Sequence, residues 1–161
     1  MVEEGEIERI YRDRYSALLR VAVAILRDEQ LGEEAVHDAF VRALRHRRGF
    51  SGRGSVEGWL FRIVVNEARR RQAAERRPAP SLLNLADEEA ASANGHRKHG
   101  ALEALVAALP ERQRLALFLR YYADLDYEAI AVALGVKPGT VAATLHAARS
   151  ALRRDLREVE R

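Results

Sequence analysis

Apolar residues recur along most of this chain at the three- and four-residue spacing of one helix face. They predict a first amphipathic helix over residues 4–27 and a second that ends near residue 45. Gly32 is expected to separate the two. Glu33 and Glu34 then fall in the first turn of the second helix, where the helix dipole favours acidic groups. The predicted inward positions are Ile7, Ile10, Tyr11, Tyr15, Leu18, Leu19, Ala22, Leu26, Ala35, Val36, Ala39, Phe40, Ala43 and Leu44.

A third helix is predicted after an irregular segment. Residues 45–55 contain three glycines, which do not suit a regular helix. Ser55 is a suitable N-cap for the helix that follows, and this helix carries two groups of arginines near its end, 69–71 and 76–77. Its predicted inward positions are Val56, Trp59, Leu60, Ile63 and Val64.

Residues 78–100 contain Pro, Ser, Asn and Gly without sustained periodicity, which predicts a flexible linker. The halves on either side of it need not touch. After the linker a short helix is predicted, and Pro110 starts another. Their inward positions are Leu102, Leu105, Val106 and Leu109, then Leu115, Leu117, Phe118 and Tyr121. Because no segment has strand-like alternation, the predicted fold is all-α, with small helical domains at 1–77 and 101–161.

Residues 126–154 predict a helix, a tight turn at Gly135 and a second helix. Glycine suits the turn because it tolerates a positive φ. The apolar positions are Ile130, Ala131 and Leu134 in the first helix, Val136 and Val141 at the corner, and Val141, Leu145, Ala148 and Leu152 along the second. Many proteins enter the DNA major groove with this helix-turn-helix geometry. The alternative is an ordinary α-hairpin of a helical bundle.

The net charge of +3 hides an uneven distribution. Residues 1–36 carry a net charge of −4, whereas residues 37–77, the basic block, carry +7. An acidic segment beside such a block indicates two partners: a polyanion for the block and a less negative surface for the segment before it.

The sequence also excludes several kinds of chemistry. The chain has no cysteine, which rules out disulfides, thiol catalysis and cysteine-ligated zinc. Its histidines form no metal-binding pattern, and no phosphate loop or nucleophile–base spacing occurs, so we expect no enzyme activity, no metal and no cofactor. The N-terminus is acidic and amphipathic, and no apolar run approaches about 20 residues. We therefore expect a cytoplasmic protein without membrane insertion.

Aromatic residues are interleaved with arginines between residues 47 and 71 of the basic block. Arginines neutralise phosphates, and aromatic faces stack on unpaired bases, so this composition is typical of a single-strand-binding surface. For Trp59, the spacing to Ile63 is equally compatible with core packing. Asn66 follows an apolar helical run, and its amide can donate and accept hydrogen bonds at a base edge.

Three segments resemble a known family, in the order in which that family carries them. They are GEEAVHDAFVRAL (32–44), GFSGRGSVEGWLFRIVVNEARRR (49–71) and LPERQRLALFLRYYADLDYEAIAVALGVKPGTVAATLHAARSAL (109–152). Together they are similar to domains 2 and 4 of the extracytoplasmic-function (ECF) sigma factors of bacterial RNA polymerase, in the sigma-70 superfamily. The resemblance covers most of residues 10–155 and places the linker where the family has one.

The resemblance implies a transcription initiation factor whose partners are core RNA polymerase, promoter DNA and an anti-sigma factor. Domain 2 (1–77) would bind the β′ clamp helices and would read and melt the −10 element. Domain 4 (101–161) would read the −35 element as duplex and contact the β flap. The implied residues are Glu34, His37, Asp38 and Val41 for polymerase binding; Arg53, Trp59, Arg62, Asn66, Arg69 and Arg70 for the −10 element, with Asn66 beside a pocket for a flipped-out base; and Lys137, Thr140, Ala143, Thr144, His146 and Arg149 for the −35 element.

The chain departs from the family pattern at two places. His37 replaces the usual Gln before Asp38, and its imidazole can still donate or accept, with some pH dependence near its pKa. In the recognition helix the family typically has Lys or Arg, Ser, Arg and a further Arg where this chain has Ala142, Ala143, Thr144 and Ala147. Because three cationic side chains are absent, we expect weak −35 readout and promoter discrimination mainly at the −10 element.

Two other functions stay open at the level of sequence. A stand-alone helix-turn-helix regulator would explain residues 126–154 but not the acidic segment beside the basic block. A sigma-like decoy that sequesters an anti-sigma factor would fit the alanine-rich recognition helix.

Overall fold

The computed structural model describes residues 1–52, 54–75 and 96–161, and these residues form seven α-helices and no strand. The predicted all-α fold is confirmed. In chain order the helices are α1 (Glu4–Leu26), α2 (Glu29–Arg45), α3 (Val56–Glu75), α4 (His96–Ala107), α5 (Glu111–Tyr121), α6 (Tyr127–Leu134) and α7 (Pro138–Val159), with a 3-10 turn at Arg47–Gly49 between α2 and α3. Most of the predicted linker lies outside the described residues, and α4 begins five residues before the predicted start of domain 4.

The boundary between α1 and α2 differs from the prediction. The side chain of Asp28 caps α2 by accepting a hydrogen bond from the Leu31 N–H at 2.9 Å, so the helix begins before Gly32 and continues through it. Gly32 is buried within α2, where an added Cβ would lie 2.6 Å from Cγ2 of Val23 in α1. The glycine therefore serves the close approach of two helices and does not interrupt one.

Helices α6 and α7 form the predicted helix-turn-helix. Asp126 caps α6 by accepting from the Ala129 N–H at 2.8 Å, and Gly135 ends the helix in the left-handed region with φ 67°. Pro138 lies in the first turn of α7, where its missing N–H costs no hydrogen bond. The two helix axes differ in direction by 97°, as expected for such a unit. Its buried positions in α7 are Val141, Leu145 and Ala148.

Two predicted inward positions of the second half are wrong. Leu102 is 39% exposed in α4, a helix that packs mainly against α7 and in which residues 100–107 are at most partly buried. Tyr121 is 63% exposed at the end of α5, where its hydroxyl accepts a hydrogen bond from Nε of Arg149 at 2.7 Å. A tyrosine with a partner for its hydroxyl at the surface gains little from full burial.

The two halves of the chain pack against each other through α3 and α6. Phe61 and Val65 of α3 belong to the same continuous buried cluster as Ala129 and Ile130 of α6. The sequence left the halves free to separate, but in this structure the first helix of the helix-turn-helix lies directly on α3.

A buried carboxylate joins α2 and α3. Glu67 is 3% exposed; it accepts hydrogen bonds from Arg70 Nη2 at 2.6 Å and Arg71 Nε at 3.2 Å, and its Oε2 lies 3.5 Å from Nη2 of Arg42. Burial by itself raises the pKa of Glu67, but the hydrogen bonds from Arg70 and Arg71 outweigh it, so the pKa is lowered from the ordinary 4.5. The ionised carboxylate is therefore the stable form in the folded protein.

We expect Glu67→Gln to lower the free energy of unfolding at neutral pH by about 1–3 kcal/mol, because it removes charged hydrogen bonds from a buried group. The folded-state pKa is lowered, so this stabilisation is present above the ordinary value of 4.5 and is lost as the pH falls through the folded-state value. Urea unfolding of both proteins from neutral pH to about pH 3 measures the difference, which should shrink on acidification. A difference that did not change with pH would contradict this role, and Glu158→Gln, at an exposed site, is the matched control.

Candidate docking and nucleic-acid interfaces

The outer face of α2 carries the residues expected to bind the polymerase. Glu34, His37 and Asp38 are exposed and Val41 is partly buried. Their spacing of three and four residues places them on one side of the helix, so the structure brings all four into one patch. The patch combines carboxylates and an imidazole with an apolar side chain at one end.

Arg71 of α3 reaches across to two carboxylates of this patch. Its Nη1 lies 3.3 Å from Oε2 of Glu34, its Nη2 donates to Oδ2 of Asp38, and its Nε donates to Glu67. Burial of the guanidinium acts to lower the pKa of Arg71, but the hydrogen bond to Glu67 and the nearby charge of Asp38 outweigh this effect. The pKa of Arg71 is therefore raised above its ordinary value. Two carboxylates of the α2 patch are therefore oriented by an arginine of the neighbouring helix.

The outer face of α3 presents Arg62 and Asn66, which are exposed and lie one helical turn apart. Trp59 is only partly buried, with its ring centroid 5.5 Å from that of Phe50 and its side chain packed against a small buried cluster. Much of the Trp59 side chain is therefore in packing contacts within the protein. Among the described members of the predicted −10 set, Arg62 and Asn66 are exposed and can face a ligand without losing a core contact.

Two further arginines of the predicted −10 set already have carboxylate partners. Arg69 Nε donates to Oε1 of Glu111 in α5 at 3.3 Å, and Arg70 is paired with Glu67. Arg53 lies outside the described residues. Because some of its arginines are already paired with carboxylates, the basic block can offer fewer charges to an external ligand than its net charge suggests.

The predicted −35 residues lie along the first half of α7, with Lys137 as its N-cap. Lys137, Ala143 and His146 are exposed, whereas Thr140, Thr144 and Arg149 are partly buried. The Thr144 hydroxyl donates to the carbonyl oxygen of Thr140 at 2.7 Å, one turn back along the helix. A threonine bonded in this way has less freedom to turn towards a base.

Arg149 is also engaged within the second half. Its Nε donates to the Tyr121 hydroxyl at 2.7 Å, and its guanidinium carbon lies 5.5 Å from the centroid of that ring. Hydrogen bonds to Tyr127 and Tyr121 raise the pKa of Arg149. The positively charged side chain exposed at the start of the recognition helix is therefore Lys137.

Sequence reasoning missed four residues that determine these surfaces: Gly58, Glu67, Arg71 and Glu111. A signal existed for Glu67, because it lies on the side of α3 that also buries Leu60 and Val64. Glycine in the interior of a helix, as at position 58, also indicates close approach of another backbone. The α2 carboxylates that Arg71 contacts and the arginine that Glu111 contacts lie 33 to 42 residues away along the chain, so no local pattern points to these pairs.

Within the described ranges, no group of three or more His, Asp or Glu side chains is arranged to hold a metal ion. In that same part of the chain no single helix is long and apolar enough to cross a membrane, although α6 and α7 pass the test together as a bent pair.

Comparison with known proteins gives matches in both halves. The family model described as Sigma-70 region 2 matches residues 10–77, and the one described as Sigma-70, region 4 matches residues 99–152. The two regions thus occur in this order, one in each half.

Named relatives align over most of the chain. The RNA polymerase sigma-E factor of Streptomyces avermitilis is 29% identical over 94% of this chain and 85% of its own length. The ECF RNA polymerase sigma-E factor of Escherichia coli (strain K12) is 30% identical over 74% of this chain and 70% of its own.

Solved structures have the same fold. CnrH, solved in complex with the cytosolic domain of CnrY, superposes with a TM-score of 0.65 at 19% identity and covers 97% of this chain and 90% of its own. The sigma factor RpoE of Bartonella quintana, solved with the anti-sigma factor NepR, gives a TM-score of 0.61 at 21% identity, over 93% of this chain and 98% of its own. With regions 2 and 4 both matched and named relatives of that type, the chain belongs to the ECF group of the sigma-70 family of RNA polymerase sigma factors.

Proposed function

We propose that this protein binds core RNA polymerase and directs initiation at specific promoters, with domain 2 reading and melting the −10 element and domain 4 docking on the −35 element. The observation that carries the −10 assignment is the pair Arg62 and Asn66. They are exposed one turn apart on α3, within a block of net charge +7. A guanidinium can hold a phosphate while the amide meets the edge of an unpaired base.

In this proposal the patch on α2 binds the β′ clamp helices. Glu34, Asp38 and His37 supply polar contacts, and Val41 supplies an apolar one. Because Arg71 already orients both carboxylates, less side-chain freedom is lost when a partner binds them. The acidic charge of this region favours a partner surface that carries basic side chains.

Domain 4 would dock on the −35 element with little base discrimination and would contact the β flap. Lys137 and the first backbone N–H groups of α7 are suited to phosphate. Ala143 offers only an apolar contact, and Arg149 must leave Tyr121 before it can reach DNA. Promoter choice then depends mainly on the −10 contacts.

An anti-sigma factor is proposed as a further partner, with the cytoplasm as the site of action. The two solved structures are complexes with a protein partner, the cytosolic domain of CnrY and the anti-sigma factor NepR. The alanine-rich face of α7 is the observation that favours the alternative of a decoy, which would bind such a partner without opening DNA. A stand-alone duplex-binding regulator is disfavoured because the α2 patch would then have no role.

Replacing Arg62 or Asn66 with alanine should reduce promoter opening by about 5- to 100-fold, the effect of losing one or two good base or phosphate contacts. Core binding should be unchanged, because both residues lie on α3 away from the α2 patch. Permanganate reactivity of the −10 thymines in complexes with purified core polymerase measures opening, and a pull-down measures core binding.

Arg9→Ala, at an exposed position of α1, is the matched arginine control. If neither Arg62→Ala nor Asn66→Ala changed promoter opening, this result would reject the −10 assignment and favour the decoy.

Ala143→Arg should restore one cationic contact on the recognition helix. We expect tighter binding of duplex DNA carrying the −35 element, with the slope of log K against log salt steeper by about 1. Fluorescence anisotropy at several salt concentrations measures this, with Val159→Arg at the far end of α7 as the control for added charge. An equal gain in the control would mean that Ala143 does not face DNA.

A further inference from the structure

A second, smaller buried cluster lies beneath the segment that joins α2 and α3, residues 46–55, which we call the α2–α3 loop. The buried members of this cluster are Val2, Ile7, Ala43 and Leu60. Phe50 of the loop and Trp59 of α3 pack against them. Val2 is only 2% exposed although it precedes the first helix. Segments outside helices and strands usually lie at the surface, so this degree of burial indicates a structural role for Val2.

The backbone before α1 is also bonded to the loop. The Val2 N–H donates to the carbonyl oxygen of Arg47 at 3.2 Å, and the nitrogen of Met1 donates to the carbonyl oxygen of Phe50 at 3.4 Å. Nη1 of Arg47 lies 3.9 Å from Oε2 of Glu4, in the first turn of α1. The segment before α1 therefore holds the loop through both its backbone and the Val2 side chain, an arrangement that we call the Val2 clasp.

The composition of the loop makes such external contacts necessary. It contains Gly49, Gly52 and Gly54, and the last two have positive φ angles of 75° and 82°. Glycine has more accessible backbone conformations than other residues, so ordering this loop costs more conformational entropy. Contacts with the rest of the protein must offset that cost, and the buried Val2 side chain is one of them.

The loop lies beside the residues proposed to read the −10 element. The ring centroid of Phe50 is 5.5 Å from that of Trp59, and Trp59 lies about one helical turn before Arg62 on α3. Arg48 of the loop is exposed, as are Arg62 and Asn66. The position of the loop against α3 therefore determines whether groups from both elements can contact one strand together.

We propose that Val2 is a positioning residue for −10 recognition. By filling the cluster beneath Phe50 and Trp59, it fixes the α2–α3 loop against the first turn of α3, so that the loop and the Arg62–Asn66 pair present one surface to the opened strand. Val2 is buried and does not itself touch DNA. This inference deepens the proposed function and rests on it for the identity of the ligand. A loop that is no longer held should discriminate less between −10 sequences, because base readout requires precisely placed groups.

Val2→Ala is the variant that tests this role, because it removes two methyl groups from the cluster and leaves the backbone bond to Arg47. Val2→Ile keeps a branched apolar side chain there and should behave as wild type. Val21→Ala is the matched control, since Val21 is also fully buried but belongs to the main core. Urea unfolding establishes that each variant is folded under the assay conditions.

The order of the loop can be measured without a label. Trp59 is the single tryptophan of the chain, so its fluorescence reports the contact with Phe50. The Stern–Volmer constant for acrylamide quenching should rise by about 1.5- to 3-fold in Val2→Ala, because local opening of the loop exposes the indole. Val2→Ile and Val21→Ala should match wild type. Equal quenching in wild type and Val2→Ala would overturn the clasp.

Recognition is measured by promoter opening with purified core polymerase, on a cognate promoter and on promoters with one −10 base pair replaced. Val2→Ala should lower the ratio of opening on the cognate promoter to opening on the substituted ones by about 3- to 10-fold, a part of the usual cost of one mismatched base pair. Val21→Ala should leave this ratio unchanged.

A purely structural role for Val2 would reduce opening on all promoters equally, and an unchanged ratio in Val2→Ala would therefore overturn the positioning role. Absence of opening by the wild type on every promoter would count against the proposed function. The quenching comparison would still decide whether Val2 orders the loop, because it requires neither polymerase nor DNA.

Discussion

The third helix is packed on two sides, and the rest of the structure depends on how it meets both requirements. One side closes the core with α1 and α2 and buries the Glu67 carboxylate. The other side lacks a side chain at Gly58, which allows α6 to approach at backbone distance. The residues proposed to read DNA, Arg62 and Asn66, lie between these two packed surfaces. Their positions are therefore fixed by the core beneath them and not by a loop.

Paired charges explain how a chain with so many arginines stays compact. Glu67 neutralises charge at Arg42, Arg70 and Arg71, and Glu111 pairs with Arg69. Exposed ion pairs of this kind contribute little stability individually, so they can be exchanged for phosphates or partner carboxylates at low cost. The buried end of the network at Glu67 is different, because an ionised carboxylate there requires its arginines. The ion-pair network thus has a fixed, buried carboxylate at its centre and surface contacts that can be exchanged for those of a ligand.

The helices were predictable because each is amphipathic at the helical period and several carry local signals, such as the Asp126 cap and Gly135. The four residues of the α2 patch were implied by the resemblance to the sigma-factor family, and they are exposed or partly buried in the structure. Gly32 was misjudged because a glycine that breaks a helix and one that permits close helix packing look alike in sequence. Tyr121 was misjudged because its hydroxyl partner, Arg149, lies 28 residues away. The contact between the halves involves residues with no local relation, and it could not be predicted from periodicity.

In the proposed function, α3 reads the −10 element as an opened strand within the polymerase complex. A photo-crosslinking amino acid at position 66 tests this most directly, in an open complex formed with purified core polymerase on a cognate promoter. If α3 reads this strand, position 66 should crosslink to the non-template strand within the −10 element. Crosslinks confined to upstream duplex DNA, or to polymerase subunits alone, would contradict it.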